Sequence, residues 1–248
     1  MDFSYVWSHF LDDLDSAGWG SHSGPQQYQN AFDPGANYGN SNFDVRNAFK
    51  GSLIYQLPFG KGTTFLSNSA LLDEVIGGWK ISSTIIVQSG QPYTVTMNSD
   101  NSYSLAGSNF FWNPNVIGNS KLQHPTVNQW FNEAAFAVPT AGTFGNEGRN
   151  QYTGPAFNQV NLSLGKTFAI WEQVKLQIHA DANNAFNHPI FGQPTVGLNV
   201  CPSAAPTPGA LPPAGCTAFN GAIATGTSTI TGLSGLGRTM QLAARLTF

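Results

Sequence analysis

The ten residues Val174-Lys175-Leu176-Gln177-Ile178-His179-Ala180-Asp181-Ala182-Asn183 change character at every step. Val174, Leu176, Ile178, Ala180 and Ala182 fall on one side; Lys175, Gln177, His179, Asp181 and Asn183 fall on the other. A period of two is that of a β-strand whose two faces meet different surroundings. The strand is expected to run from Glu172 to Asn183, and a slip of one residue would carry Lys175, His179 and Asp181 across together, so the register is expected to be firmly set.

The same pattern recurs on both sides of this stretch. At the end of the chain Met240, Leu242, Ala244, Leu246 and Phe248 alternate with Gln241, Ala243, Arg245 and Thr247. Phe157 to Phe168 sets Val160, Leu162 and Leu164 against Asn161, Ser163 and Gly165, and only a short connection around Trp171 separates it from the next strand. Trp79 to Met97 sets Ile81, Ile85, Val87, Tyr93 and Val95 against Lys80, Ser82, Thr84, Gln88 and Thr94. Val45 to Leu57 and the start at Phe3, Tyr5 and Trp7 supply two more. The pattern predicts about six strands, each near or above the ~9–11 residues that a tilted strand needs to cross a bilayer.

Composition points the same way. Lys plus Arg is 10 and Asp plus Glu 13, so charged residues make up 9% of 248, where a soluble domain carries about 25%. Glycine and proline, 27 and 15, favour turns over long helices. A net charge of −3 with no basic cluster argues against a surface built to neutralise phosphates, so no nucleic-acid partner is expected. No run approaches the ~18 apolar residues of a spanning helix. Met1-Asp2-Phe3 lacks the basic start and apolar stretch of a signal peptide.

Connections alternate in size. Leu11 to Asp44, Asn98 to Ala156 and His188 to Gly237 are long; Pro58 to Gly78, with one possible helical turn at Ser69 to Ile76, and the Trp171 connection are short. Long loops on one side and short turns on the other are the layout of an outer-membrane β-barrel. Val174, Leu176, Ile178, Ile81, Ile85 and Val87 then face lipid, and Lys175, Gln177, His179, Asp181, Gln241 and Arg245 face the lumen. Trp79, Trp171, Phe168 and Phe248 fall at the short-turn end, where an aromatic girdle belongs. A soluble antiparallel sandwich shares the alternation. The low charge, the strand length and the C-terminal Phe248 favour the barrel.

Several blocks resemble the barrel of Oar-like TonB-dependent receptors, the subgroup with a carboxypeptidase-regulatory-like domain. They are Asp44-Val45-Arg46-Asn47-Ala48-Phe49, Tyr55-Gln56-Leu57-Pro58-Phe59-Gly60-Lys61-Gly62, Gly77-Gly78-Trp79-Lys80 and Gln88-Ser89-Gly90-Gln91-Pro92-Tyr93-Thr94-Val95. Trp130-Phe131-Asn132-Glu133-Ala134-Ala135-Phe136, Gly142-Thr143-Phe144-Gly145-Asn146, Gly148-Arg149-Asn150, Gly154-Pro155, Asn184-Ala185-Phe186-Asn187-His188 and Leu246-Thr247-Phe248 continue the series in family order. The resemblance implies an outer-membrane transporter of about 22 strands around a plug, energised by the TonB complex and taking up an iron chelate, saccharide or peptide. Residues 1–248 read as its C-terminal barrel portion, without plug, TonB box, regulatory-like domain or signal peptide. About six strands are too few to close when single-chain barrels start at 8. The runner-up is a secreted or surface-attached β-rich binding or adhesion module.

The candidate sites are structural. Met240, Leu242, Ala244, Leu246 and Phe248 resemble the signal read by the barrel-assembly machinery; an edge strand that happens to end in Phe is the alternative. Cys201 and Cys216 are expected to form a stapling disulfide worth ~3 kcal/mol in an oxidising compartment, or else are two unrelated thiols. Asp12, Asp13 and Asp15 suggest calcium, but Ala17 and Gly24 stand where the EF-hand pattern needs ligands. His179 and Asp181 are same-face neighbours rather than an acid–base pair. No cofactor, metal or catalytic motif is expected. Phe110-Phe111-Trp112-Asn113 and Trp130-Phe131-Asn132 either stack on a ligand or fold the loops onto themselves.

Overall fold

The computed structural model describes residues 1–13, 28–30, 32–59, 75–98, 112–171, 173–203, 210–218 and 220–248. Its frame is one antiparallel sheet of six long strands among the described residues: β1 (Asp2–Trp7), β2 (Asn47–Gln56), β3 (Trp79–Gln88), β4 (Phe157–Ala169), β5 (Lys175–Asn183) and β6 (Thr239–Thr247). Each pairs with the next along the chain, an all-β up-and-down meander with two free edges rather than a closed barrel. No described helix is long and apolar enough to cross a membrane, which says nothing of crossing by strands.

Register follows the alternation. Ile81 lies opposite both Tyr55 and Leu164, Leu164 opposite Ala180, and Ala180 opposite Leu242. Directly opposed residues share a face, so this row of apolar side chains runs across five strands. Neighbouring rows add Phe3, Tyr5, Phe49, Ile85, Val160, Ile178 and Ala244. On the reverse face Lys80, Gly165, His179 and Ala243 form one row, and Gln177 with Arg245 lies in the next. Gly51 interrupts the apolar face where the Phe3 ring covers it; an added Cβ would sit 2.8 Å from that ring.

Four strands are shorter than the sequence predicts: β1 has 6 residues, β2 spans only Asn47–Gln56 of the expected Val45–Leu57, and β3 and β5 each lose an end. β3 ends at Gln88, not Met97, because Gly90-Gln91-Pro92 turns the chain out of the sheet. Pro92 has no N–H to donate to a ladder, and Gly90 lies against the backbone of Gly154 and Pro155 with no room for a Cβ. Tyr93, Val95 and Met97 are therefore not wall residues. Pro92-Tyr93 pairs with Tyr152-Thr153, and Thr96-Met97 runs parallel to Gly197-Leu198. β5 begins at Lys175, so Val174, expected on the lipid face, sits instead in the tight turn. There its N–H donates to the carbonyl of Trp171, and its own carbonyl accepts from Ile170 and Trp171. Of the possible helical turn only Val75-Ile76 lies within the described residues, and it is helical.

Gly90→Ala is the direct probe of that exit. The methyl would land on the Gly154 carbonyl, and overpacking of this kind costs about 1–3 kcal/mol. We expect faster amide exchange at Gly154, whose N–H now donates to Gln91 at 2.9 Å. Unchanged protection there would show that the two backbones can separate freely.

The hydrophobic core does not lie under the sheet. It is built by the long connections: Tyr93, Val95, Phe131, Phe136, Tyr152 and Leu198, with Val116, Trp130, Val196 and Ile223 packed around them. Four aromatic rings interlock there, Phe131 edge-on to Phe136 with centroids 5.8 Å apart and Tyr93 stacked on Tyr152 at 5.5 Å. The three long connections join the same ends of the strands, so this core forms a cap on the long-loop side.

Candidate functional site

The apolar face of the sheet is uncovered. Trp7 is 62% exposed, Met240 72% and Leu242 79%, and Phe3, Tyr5, Tyr55, Val87, Leu164 and Leu246 are exposed as well. A soluble sandwich would press this face against a second sheet. Here the described residues place nothing over it, and apolar surface of this extent marks contact with lipid or another protein. Of the residues expected to face lipid, Ile81, Ile85, Val87, Leu176 and Ile178 all share this face. Met240, Leu242, Ala244 and Leu246 line its last strand, and Phe248 follows the strand's end, 93% exposed.

Lys166 is the charged exception on this face, opposite Trp79 and Ile178. Its ammonium lies 4.7 Å from the Phe168 ring centroid and 5.7 Å from that of Trp79. A long lysine stem covered by aromatic rings near the short-turn end fits an interfacial belt, where such side chains reach for the water boundary.

Lys175, Gln177, His179, Asp181, Gln241 and Arg245 share the reverse face, as the alternation predicts. Val6, Ile54, Ile86 and Phe157 are its larger apolar interruptions. Asp181 accepts a 2.5 Å hydrogen bond from Ser163 on β4 rather than pairing with His179. The face holds two depressions. One of about 320 Å³ is lined by Thr84, Asn161, Asp181, Asn183 and Gln241. The other, of about 540 Å³, lies nearer the short turns between Lys80 and His179.

Above the wall the connections are stitched to one another. Arg149, 2% exposed, donates from Nη2 to the Oδ1 and backbone carbonyl of Asp12, and from Nε to the Asn37 carbonyl at 2.7 Å. Asn150, with φ of 55°, exchanges side-chain-to-backbone bonds with Asn40 at 2.6 and 3.0 Å. The first and second long connections are thereby locked together. Asn adopts such left-handed backbone more readily than other non-glycine residues, which accounts for the Gly148-Arg149-Asn150 block. Asn184 and Asn187 do the same at the rim of β5, with φ of 49° and 51°. Their side chains reach the Leu236 carbonyl and the Arg238 N–H just before β6.

Glu133 ties the third long connection to the second. Its buried carboxylate accepts from the N–H groups of Gly226, Thr227 and Ser228 at 2.6, 2.5 and 2.5 Å, and from the Thr227 hydroxyl at 2.9 Å. Burial alone would raise its pKa; the bonds to Ser228, Gly226 and Thr227 outweigh that and hold it below the ordinary carboxylate value.

Glu147 is the opposite case. It is 5% exposed, its Oε2 accepts from the Tyr152 hydroxyl at 3.2 Å, and its Oε1 has no partner. Burial pushes its pKa up to about 7, against the pull of the Tyr152 bond and the Lys121 charge. With the folded value raised, the carboxyl prefers its proton in the cap. Its contribution to cap stability is fullest below the unfolded value of 4.5 and is lost as pH rises through about 7. Glu147→Gln is expected to make the cap more stable at about pH 8 than the parent chain, with little difference at about pH 5. Cap amide exchange at both pH values reads this; identical pH slopes for both proteins would rule it out.

Cys201 and Cys216 are joined, with Cα atoms 5.7 Å apart, and Cys201 is buried. Main-chain bonds from Cys201 to Ala222 and from Ala224 to Asn199 hold the returning chain beside the bridge. Phe131 is 1% exposed and in the core, so in this part of the second connection the aromatics fold the loop rather than present a stacking surface. Phe110 and Phe111 lie outside the described residues, as do Asp15, Ala17 and Gly24. Asp12 is occupied by Arg149, Asp13 accepts from the Tyr28 hydroxyl at 3.2 Å, and the described residues hold no metal-binding cluster.

The family model for an outer membrane beta barrel domain matches residues 1–241. No curated protein and no solved structure matches the chain.

Proposed function

The chain belongs to the outer membrane beta barrel domain family and is localised to the outer membrane, and from that premise we propose that it is wall and extracellular cap of an Oar-like, TonB-dependent transporter. The observation that supports a wall is the uncovered apolar face across all six strands, opposite a polar face rich in hydroxyls and amides. The blocks shared with Oar-like receptors support the transporter, whose cargo is a large nutrient of the iron-chelate, saccharide or peptide class. Among the described residues β1 and β6 leave two free sheet edges, which supports a wall completed by other strands, since single-chain barrels start at 8 strands. Those strands come from the same polypeptide, together with a plug that engages the TonB complex.

Disrupting the gene and following uptake of ferric chelates, oligosaccharides and peptides tests transport. Energy-dependent loss of one class is expected; unchanged uptake of all three would overturn the proposal. A denaturing immunoblot of outer membranes tests how the wall is completed. A band well above 26.5 kDa would place the remaining strands in one polypeptide. A band at that mass, with larger heat-modifiable species, would mean that several copies build the barrel.

Phe248 and the apolar row of β6 are proposed to be read by the barrel-assembly machinery. Deleting Phe248 removes no bond of the sheet, because β6 ends at Thr247. A fall in membrane-inserted protein of about tenfold, with unchanged synthesis, is therefore expected from recognition rather than stability, a difference equivalent to about 1.4 kcal/mol. Equal insertion with and without Phe248 would show that the terminus is only a strand end.

A further inference from the structure

The larger depression of the polar face has a construction that the wall does not require. Gly165 of β4 lies directly between Lys80 of β3 and His179 of β5. With no side chain at the middle position, the row opens into a notch of about 540 Å³. The His179 ring leans over its floor: a Cβ at residue 165 would sit 2.8 Å from Nδ1 and 3.0 Å from Cε1. Ser82, Thr167, Gln56 and Gln177 add side chains able to donate a hydrogen bond, and Gly78, Ser163 and Lys166 complete the lining.

Charge on this part of the face is one-sided. Lys80 and His179 line the notch, and Lys175 and Arg245 stand on the same face towards the short turns. The lining contains no carboxylate. Asp181, two residues from His179, is drawn to Ser163 and lines the other depression. Neither ion pair of the described residues involves Lys80, Lys175 or Arg245. A donor-rich cleft flanked by an ammonium and an imidazole, with low charge elsewhere on the wall, is complementary to negatively charged oxygen.

We propose that the Gly165 notch is a binding site for an anionic oxygen group, a carboxylate or phosphate. Lys80 supplies the charge, His179 and the hydroxyls of Ser82 and Thr167 supply directed hydrogen bonds, and Gly165 lets the imidazole lie across the row beside Lys80. The group belongs either to a small free anion in the lumen or to an acidic side chain of a polypeptide segment lying there. The inference rests on the polar face being the wet one and not on the transport reading.

The test uses the complete barrel extracted from outer membranes into nonionic detergent, titrated with citrate, inorganic phosphate and a hexaglutamate peptide while the His179 ring signals are followed by NMR. Saturable shifts of that ring are expected. Lys80→Gln, and Gly165→Ala, whose methyl displaces the ring, should each weaken binding about tenfold, the scale of one charge-assisted hydrogen bond. Lys50→Gln, which removes the same charge from the same face three rows away, should leave it unchanged. Saturation by citrate or phosphate assigns a free anion; saturation by the peptide alone assigns a polypeptide partner. Should Gly165→Ala fail to fold, Lys80→Gln against Lys50→Gln decides. No His179 shift with any probe, or equal weakening by both lysine variants, would overturn the site. Either result leaves the uptake and lipid-facing experiments unaffected, so the two readings fail separately.

Discussion

Ile85→Lys is expected to abolish stable insertion of the wall, while Thr84→Lys inserts normally. The two positions are adjacent in β3 and differ only in face. Ile85 lies between Gly51 and Val160 in the apolar rows; Thr84 lies between Ser52 and Asn161 on the polar side. A lysine facing lipid near the bilayer midplane costs about 2–4 kcal/mol, whereas one facing the lumen costs little. Near the middle of a strand of 10 residues, the ammonium at position 85 has no short route to the interface, unlike Lys166 beside its aromatic rings. Heat-modifiable protein in lipid vesicles reads insertion directly. Equal insertion of the two variants would mean that the apolar face is covered by protein rather than lipid.

Glu133→Gln should release the third long connection from the cap. An uncharged amide offers one acceptor oxygen and turns an N–H₂ towards N–H groups that already donate. Bonds to a charged partner contribute roughly 1.5–3 kcal/mol each and are not additive. With four of them converging on one carboxylate, a local loss of at least ~3 kcal/mol is expected. Amide exchange at Gly226, Thr227 and Ser228 should accelerate by two orders of magnitude or more, on the scale of about tenfold per 1.4 kcal/mol. The pH dependence has the sign of a lowered carboxylate pKa. In the parent chain this stabilisation is complete above the ordinary carboxylate range and fades as pH falls through the lowered value. In the glutamine variant that dependence disappears. Unaltered exchange at the three amides would mean that neighbouring main-chain bonds, Trp130 to Ser228 and Ile230 to Val127, hold the connection without it.

The wall was legible because its physics is local. Alternation in β5 and β6 fixes both faces from a handful of residues, and pairing one strand to the next extends them across the sheet. The same signal overran at β3. Tyr93, Val95 and Met97 keep the period of two beyond Pro92 because Tyr93 and Met97 too sit in short extended pairs, with Val95 between them, but those pairs belong to the cap. Only the proline and Gly90 mark the exit, and the close approach of Gly154 that makes Gly90 necessary lies far along the chain. The cap itself was illegible for that reason. Phe131, Tyr152 and Leu198 meet across long separations with no repeat to announce them. Glu133 is an unremarkable acid until the N–H groups of 226–228 are beside it, and Gly165 is an ordinary small residue until its neighbours prove to be Lys80 and His179.

The interlocked cap also gives the assembly a direction in time. Its core takes Tyr93 from just beyond β3 and Leu198 from between β5 and β6, so it sets only after those hairpins have met; closing such long loops is slow relative to local pairing. Before it sets, the connections can cross a bilayer as loose polar chain. Afterwards, returning them would mean dismantling a packed aromatic core, the buried Arg149–Asp12 pair and the Glu133 anchor at once. The cap is therefore expected to act as a ratchet pawl, making withdrawal of an inserted wall slower than its insertion.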